Sequence, residues 1–237
     1  IYKNADTAKL QADEKRMKFA YYNEEMNDAV LERLNLQNSL RTALVRKEFV
    51  LYYQPQYRAS DKTIMGFEAL VRWNSEHMGV VAPAKFIPIA EDTHLIIPLG
   101  EWILEEAVKF IKKLHKLGHT DLIMSVNISN IQFNQKDFSE FLLNLLKKYD
   151  LPSKNLELEI TESVMMRSMD NVINNMNRIR EAGIRIALDD FGTGYSSLNY
   201  LTKIPINTLK IDKSFIEDAE LKREKSLLVE TIVHIAH

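Results

Sequence analysis

An α/β fold of the β/α-barrel type is the architecture this sequence predicts, and three observations carry it. Five short apolar runs each end in a carboxylate, an amide or a lysine: Met65-Gly66-Phe67-Glu68, Ile123-Met124-Ser125-Val126-Asn127, Leu156-Glu157-Leu158-Glu159, Ile184-Arg185-Ile186-Ala187-Leu188-Asp189-Asp190 and Thr208-Leu209-Lys210. Each run has the length of a buried parallel strand, and helical periodicity separates most of them. The chain, at 237 residues and 46% hydrophobic, is large enough for one barrel-sized domain, or one domain with an appendage. In such a barrel the C-terminal strand ends meet at one face, where the active site sits. That arrangement gathers Glu68, Asn127, Glu159, Asp189, Asp190 and Lys210 into one pocket. Carboxylates crowded in this way need cations to neutralise them, so a metal site is expected.

Taken in order, residues 1–22 carry a short helical pattern (Ala5, Ala8, Leu10, Ala12) and then a strand-like run from Met17 to Tyr22. Asn23 is an N-cap, with Glu24 and Glu25 in the first turn where the helix dipole favours acids. The helix it opens runs to about Lys47, with Met26, Val30, Leu34, Leu40 and Leu44 on or near one side, and reads as a linker docking on the main domain. A strand over 49–57 contains Pro55, which lacks a donor, so this strand stops there or lies at an irregular edge. Asp61-Lys62 turns into a strand over 63–73. Helices follow over 83–91 and 102–117, the second with Ile103, Ala107, Phe110, Leu114 and Leu117 periodic and Gly118 as its cap. A strand over 122–128, a helix over 136–149 and the breaker Pro152 come next. Then come a strand over 156–161, a helix over 169–182 capped by Gly183, a strand over 184–189, a strand over 207–211 and a helix from about Lys222. Six strand candidates result, two short of a complete eight-stranded barrel. Ile1 is not an initiator and the terminal helical stretch has no stop signal, so both ends read as cut.

Composition narrows the function classes. Net charge is −2, from 31 basic and 33 acidic residues, so no basic excess advertises a nucleic-acid polymer. With no cysteine, disulfides, thiolate metal sites and cysteine nucleophiles are excluded. No signal peptide and no bilayer-length apolar run is present, which makes cytoplasm the expected compartment, with a membrane anchor possible elsewhere in a longer parent. The six histidines form neither HxH nor HExxH, and hard oxygen donors favour Mg²⁺ or Mn²⁺ over zinc.

Asp189-Asp190-Phe191-Gly192-Thr193-Gly194 is the sharpest local signal: two acids at a strand end enter a glycine-containing loop. Adjacent strand residues point to opposite faces, but a twisted strand end can bring both carboxylates to one cation pair; the competing reading is a turn cap. In Leu156-Glu157-Leu158-Glu159-Ile160-Thr161-Glu162, Glu157 reads as an outward, solvated position, Glu159 as a ligand and Glu162 as a loop anchor. Asn127 must be satisfied by backbone or by a metal through its carbonyl oxygen. Glu68, an acid in an apolar strand, needs a partner, and Arg72 suits a phosphate or a guanine edge. Lys210, flanked by apolar residues, can orient or help deprotonate a nucleophilic water; the competing reading is a snorkelling surface lysine.

Glu68-Ala69-Leu70 followed by Val71-Arg72-Trp73 resembles the signature of the EAL family of cyclic-di-GMP phosphodiesterases. Six further stretches are similar to the family's motifs, in order: Tyr53-Gln54-Pro55-Gln56, Phe86-Ile87-Pro88-Ile89-Ala90-Glu91, Ser125-Val126-Asn127-Ile128-Ser129, Glu159-Ile160-Thr161-Glu162, Asp189 to Leu198, and Leu209-Lys210-Ile211-Asp212. The resemblance covers about residues 40–237 and implies a modified TIM-like barrel whose first strand is antiparallel, here lacking its last strand–helix units. It implies that Glu68, Asn127, Glu159, Asp189 and Asp190 bind two Mg²⁺ or Mn²⁺ ions, that Glu68, Asp189, Asp190 and Lys210 serve catalysis with Lys210 acting on the water, and that Gln54, Leu70 and Arg72 contact the ligand. Glu162 would hold the loop from Asp189 to Leu198, and a homodimer through this domain is expected. Residues 1–22 resemble the last helix and strand of a GGDEF domain, so the expected organisation is a GGDEF remnant (1–22), a linker helix (23–47) and an EAL domain (48–237) from a tandem protein. The family's glutamate after strand 7 and glutamine near strand 8 do not lie in this chain.

The expected activity is metal-dependent hydrolysis of cyclic di-GMP to linear pGpG. The alternative is an inactive EAL-type receptor that binds cyclic di-GMP, which typically loses metal ligands; every ligand position visible here is kept. From the acids and lysine alone, an enolase-type Mg²⁺ site abstracting a proton next to a carboxylate would also fit, and only the motif resemblance separates the two.

Overall fold

In the computed structural model of the chain, residues 4–5, 8–9, 18–166, 169–192, 204–216 and 223–236 are described. They form two compact units, one of residues 1–50 and 72–95 and the other of 51–71 and 96–237.

The first unit is built on helix α1 (Glu24–Ala43), whose N-cap Asn23 accepts a hydrogen bond from the Met26 amide at 3.0 Å, as the sequence predicts. Its buried stripe is Met26, Leu36, Leu40 and Ala43, while Leu34, expected on that face, is exposed. Lys18–Asn23 carries neither helix nor strand, which corrects the strand expected from Met17, itself outside the described residues. Within this unit the end of strand β2 (Ile64–Ser75) pairs antiparallel with a three-residue strand, β3 (Gly79–Val81), too short to announce itself by alternation. Helix α2 (Pro83–Asp92) starts on a proline that costs nothing at its first position. Trp73, fully buried, packs edge-on against Phe86 and donates its indole N–H to the buried Glu48 carboxylate at 2.8 Å.

A sheet runs in the order β1 (Phe49–Tyr57), β2 (Ile64–Ser75), β4 (Ile123–Asn127), β5 (Leu156–Thr161), β6 (Arg185–Phe191) and β7 (Thr208–Ile211). Strands β2, β4, β5, β6 and β7 are parallel. Residues 58–63 connect β1 to β2, too few for a crossover, so β1 is antiparallel to its neighbour. β1 is an edge strand, which is why it runs unbroken through Pro55. Its Tyr53 ring stacks on Phe110 at 3.7 Å, and burial pushes the Tyr53 phenol up to about 12. Among the described residues β1 and β7 are the two ends of the sheet, which does not close.

Helices α3 (Ile96–Lys116), α5 (Phe138–Tyr149) and α6 (Met169–Glu181) alternate with these strands, α3 resting on β4 and α6 on β6. α3 begins six residues earlier than the periodicity predicts, because Pro98 falls in the first turn, where its missing N–H has no partner to lose. The one-turn helix α4 (Asn130–Phe133) was not anticipated, although Ser129 and Gln132 form the capping box that signals it. A helix over 223–236 ends the described chain; its expected start near Lys222 lies outside the described residues.

Glu157 corrects the sequence reading most sharply. It is buried, not solvated. On β5 the apolar Leu156, Leu158 and Ile160 form one face and Glu157 and Glu159 the other, and both faces are covered. Alternation of apolar and polar residues means a half-solvated strand in an open antiparallel sheet, but here the polar face carries a network of charged and hydroxyl groups.

Helix α5 is tied to α3 by charge. Lys148 Nζ donates to Glu105 at 2.7 Å and the Tyr149 hydroxyl donates to the same oxygen. The Lys148 hydrogen bond, then that of Tyr149, pulls the Glu105 carboxyl down to about 2. A folded value below the unfolded one gives stability that is present above the ordinary glutamate range and lost as pH falls through about 2. Lys148 is exposed, so solvent screening keeps the contribution small. Urea unfolding of the wild type and Glu105→Gln is expected to show a gap at pH 6 that closes toward pH 2.5; a gap independent of pH would contradict this.

Candidate active site

Glu68, in the part of β2 paired with β4, and the C-terminal parts of β4, β5, β6 and β7 come together because their register is fixed by backbone ladders. Glu68 is level with Ser125, Asn127 with Glu159, and Thr161 with Asp189. The Lys210 ammonium sits among them, 2.7 Å from Glu159, 3.1 Å from Asp189 and 3.5 Å from Glu68. Asn127 Nδ2 donates to the other Glu68 oxygen at 2.9 Å, completing a ring of side chains from five strands. Lys210 is only 26% exposed, which removes the snorkelling reading.

The electrostatics follow from this crowding. Burial, reinforced by Glu68 and Asp189 and opposed by Lys210, pushes the Glu159 carboxyl up to about 7. Burial pushes the Lys210 ammonium down, but the hydrogen bond and charge of Glu159, with Glu68 and Asp189, outweigh it and hold the value above the usual lysine range. Lys210 is therefore a fixed cation at neutral pH, suited to stabilising negative charge rather than to accepting a proton.

Asp190 stands at a break in the sheet. The β6–β7 register shifts between Leu188 and Phe191, and Asp190 adopts a left-handed backbone with φ of 53°. Such an irregularity re-aims consecutive side chains that a regular strand would send to opposite faces. Asp189 faces Lys210, while the Asp190 carboxyl is raised by burial and by the nearby charges of Asp189 and Asp212. The next residue but one, Gly192, has φ of 98°, and an added Cβ would lie 2.8 Å from the Phe215 ring, so glycine is required there twice over. Its amide donates to Glu162 Oε1 at 3.0 Å, placing Glu162 against the start of the loop that follows. The rest of that loop, from Thr193 to Leu198, lies outside the described residues.

Among the described residues, no group of three acidic or histidine side chains is spaced to hold one metal ion, because the carboxylates converge on the Lys210 ammonium. The donor set nevertheless suits a hard cation. It is all oxygen and net negative, and Glu159 Oε1 is buried with no partner among the described residues. Gln54 and Leu70 belong to the same compact unit, exposed on β1 and half-buried on β2; Arg72, half-buried, belongs to the other unit. The sequence reading missed the polar layer formed by Ser125, Glu157, Arg185 and Thr208, of which Ser125, Glu157 and Thr208 each lie two residues before a residue already noted. Period-two spacing from Asn127, Glu159 and Lys210 would have found three of its members.

Residues 37–237 match the EAL domain family. The chain belongs to that family. This EAL domain is 39% identical over 238 residues to signaling protein YkoW of Bacillus subtilis, covering all of this chain and 30% of that protein. It is 38% identical over 231 residues to the bifunctional diguanylate cyclase/cyclic di-GMP phosphodiesterase MucR of Pseudomonas aeruginosa, covering 97% of this chain and 34% of MucR. The chain thus spans about a third of the length of these relatives. Among solved structures it is similar to the PaMucR phosphodiesterase in complex with c-di-GMP, with a TM-score of 0.81 and 38% identity over 85% of this chain and 81% of that one. It is also similar to the EAL enzyme Bd1971 bound to cAMP and cyclic di-GMP, with a TM-score of 0.83 and 41% identity over 88% of this chain and 57% of that one. No described helix of this EAL domain is long and apolar enough to cross a membrane.

Proposed function

We propose that this EAL domain hydrolyses one phosphodiester bond of cyclic di-GMP to give linear pGpG, with Mg²⁺ or Mn²⁺ as cofactor. The observation that carries the reading is the Lys210 ammonium held by Glu68, Glu159 and Asp189, side chains from four strands, in a family whose relatives include cyclic di-GMP phosphodiesterases. Glu68, Asn127, Glu159, Asp189 and Asp190 would hold two divalent ions, which supply Lewis acidity and a nucleophile at neutral pH. Glu159 Oε1, buried and unpartnered among the described residues, gains a partner in that state.

The side chains then divide the work. Lys210 would orient the attacking water or donate a hydrogen bond to a phosphoryl oxygen, where negative charge grows as the water oxygen bonds to phosphorus. The P–O bond opposite that oxygen breaks; one proton of the water ends, through solvent, on the ribose oxygen that leaves as an alcohol, and the remaining hydroxyl becomes part of the new terminal phosphate. Asn127 orients Glu68 through its amide, and Glu162 holds the loop entry at Gly192. Gln54, Leu70 and Arg72 would contact the nucleotide.

The test is incubation with cyclic di-GMP and Mg²⁺ or Mn²⁺, with products resolved by chromatography. The expected result is pGpG that disappears when EDTA is added. Binding without product would make the chain a cyclic di-GMP receptor, and no binding by folded protein would overturn the reading.

A further inference from the structure

Buried beneath the acidic ring is a second charged group to which the proposed hydrolysis assigns no part. Glu157 has a side chain only 7% exposed, and both of its oxygens are used. Oε1 accepts from Ser125 Oγ at 3.1 Å; Oε2 accepts from Arg185 Nε at 3.1 Å and from Thr208 Oγ1 at 2.8 Å. Arg185 also donates to Thr208 Oγ1 at 3.4 Å, so the carboxylate, the guanidinium and the hydroxyl close a triangle. A buried carboxylate is tolerated only when its charge is matched and its lone pairs are filled, and this one is satisfied by groups from three other strands.

The position of this group matters more than its stability. Ser125, Glu157 and Thr208 each precede by two residues Asn127, Glu159 and Lys210, and residues two apart on a strand share a face. Ser125, Glu157 and Arg185 are level on β4, β5 and β6, whereas Thr208, level with Ala187 and through it with Glu159, reaches down to Glu157. β5 and β7 are not neighbours, since β6 lies between them, yet side chains link them twice: Thr208 to Glu157 and, two residues further along each strand, Lys210 to Glu159. The backbone hold on β7 is slight. It has four residues, is bonded to β6, and its register with β6 shifts between Leu188 and Phe191, at the level of the acids. Asn207 ties the entry of β7 to Ile186 through hydrogen bonds of 2.8 and 3.0 Å, which fixes one point but not the direction of the strand toward β5.

We propose that Glu157, Arg185 and Thr208 form a clasp that sets the position of Lys210 relative to Glu159, with Thr208 as the positioning residue. The inference rests on the phosphodiesterase reading for its catalytic consequence and on the geometry alone for its structural one. Arg185 neutralises Glu157 and holds it upright; the Thr208 hydroxyl, reaching past β6, fixes the height of β7 two residues before the ammonium. A displacement of about 1 Å at a charge-stabilising group is enough to cost a large factor in rate.

The test compares Thr208→Val, which keeps the β-branched shape and removes the hydroxyl, with Thr208→Ser, which keeps the hydroxyl. Two readouts are taken on the full chain: kcat and KM for cyclic di-GMP, and amide hydrogen exchange across residues 208–211. Thr208→Val is expected to lower kcat by about tenfold with KM within about twofold of wild type, and to speed exchange along β7. Thr208→Ser is expected to restore both. Unchanged kcat and exchange in Thr208→Val would overturn the clasp, as would equal losses in the valine and serine variants, because the hydroxyl would then not be the cause. A wild-type chain without turnover would sink the phosphodiesterase reading instead, and the exchange comparison would decide the clasp by itself.

Discussion

Lys210→Ala is expected to lower kcat for cyclic di-GMP by about 10³-fold or more, to the limit of detection, with KM changed little. The ammonium contacts three carboxylates in the resting site and, on the proposed mechanism, meets charge that appears only as the phosphorus is attacked. An interaction of that kind stabilises the transition state more than the bound substrate, so its loss falls on kcat. Glu68→Ala is expected to be as severe, because Glu68 joins Asn127 on one side and Lys210 on the other. Wild-type rates in both variants would end the mechanism. The Lys210 variant carries a second expectation independent of activity. It leaves Glu68, Glu159 and Asp189 converging with no cation from the chain, so its thermal midpoint without divalent ions should fall and should recover when Mn²⁺ is added. A midpoint indifferent to Mn²⁺ would argue against the metal site.

Gly66→Ala is the second large effect. On general grounds alanine in a strand is preferred to glycine by roughly 0.5–1 kcal/mol, so a bland site would be stabilised. Here an added Cβ would lie 2.4 Å from the Ile123 carbonyl oxygen, a backbone atom of the paired strand β4. Neither strand can yield without opening the ladder, and the cost expected is about 3 kcal/mol. Because Glu68 is two residues along the same strand, the loss should extend to activity in the protein that remains folded. Equilibrium denaturation decides the sign; a change smaller than about 0.5 kcal/mol would show that β2 and β4 part easily.

Much of this was legible in the chain itself. Strand ends carry the chemistry in a parallel α/β sheet, so a run such as Ile123–Asn127 announces both an element and a candidate ligand. Asn23, Gly118 and Gly183 mark helix ends by local rules that tertiary packing did not override, the two glycines at φ of 95° and 84°. Pro55 was readable as an edge signal for the same reason: a missing donor is a local fact. Where reading failed, the missing information was always about the neighbours of a strand or helix. Glu157 looked solvated because alternation alone cannot say whether the polar face meets water or other polar side chains. Leu34 was placed on the docked face of α1, yet the burial of Leu36 and Ala43 shows a stripe rotated from the one chosen. β3 has three residues and exists through its pairing with β2, so no period could reveal it.

The sequence by itself determined the family and most of the strands and helices, and it named Glu68, Asn127, Glu159, Asp189 and Lys210, which the structure brings together, because each is written in local pattern and motif. Only the tertiary structure decided that Lys210 lies within hydrogen-bond reach of three carboxylates and stays charged. It alone decided that Glu157 is locked to Arg185 and Thr208, and that Asp190 turns through a left-handed backbone at a register shift. The physical reason is that charge and position in this site are set by partners about 20 to 140 residues away in the chain, through distances that no local spacing encodes.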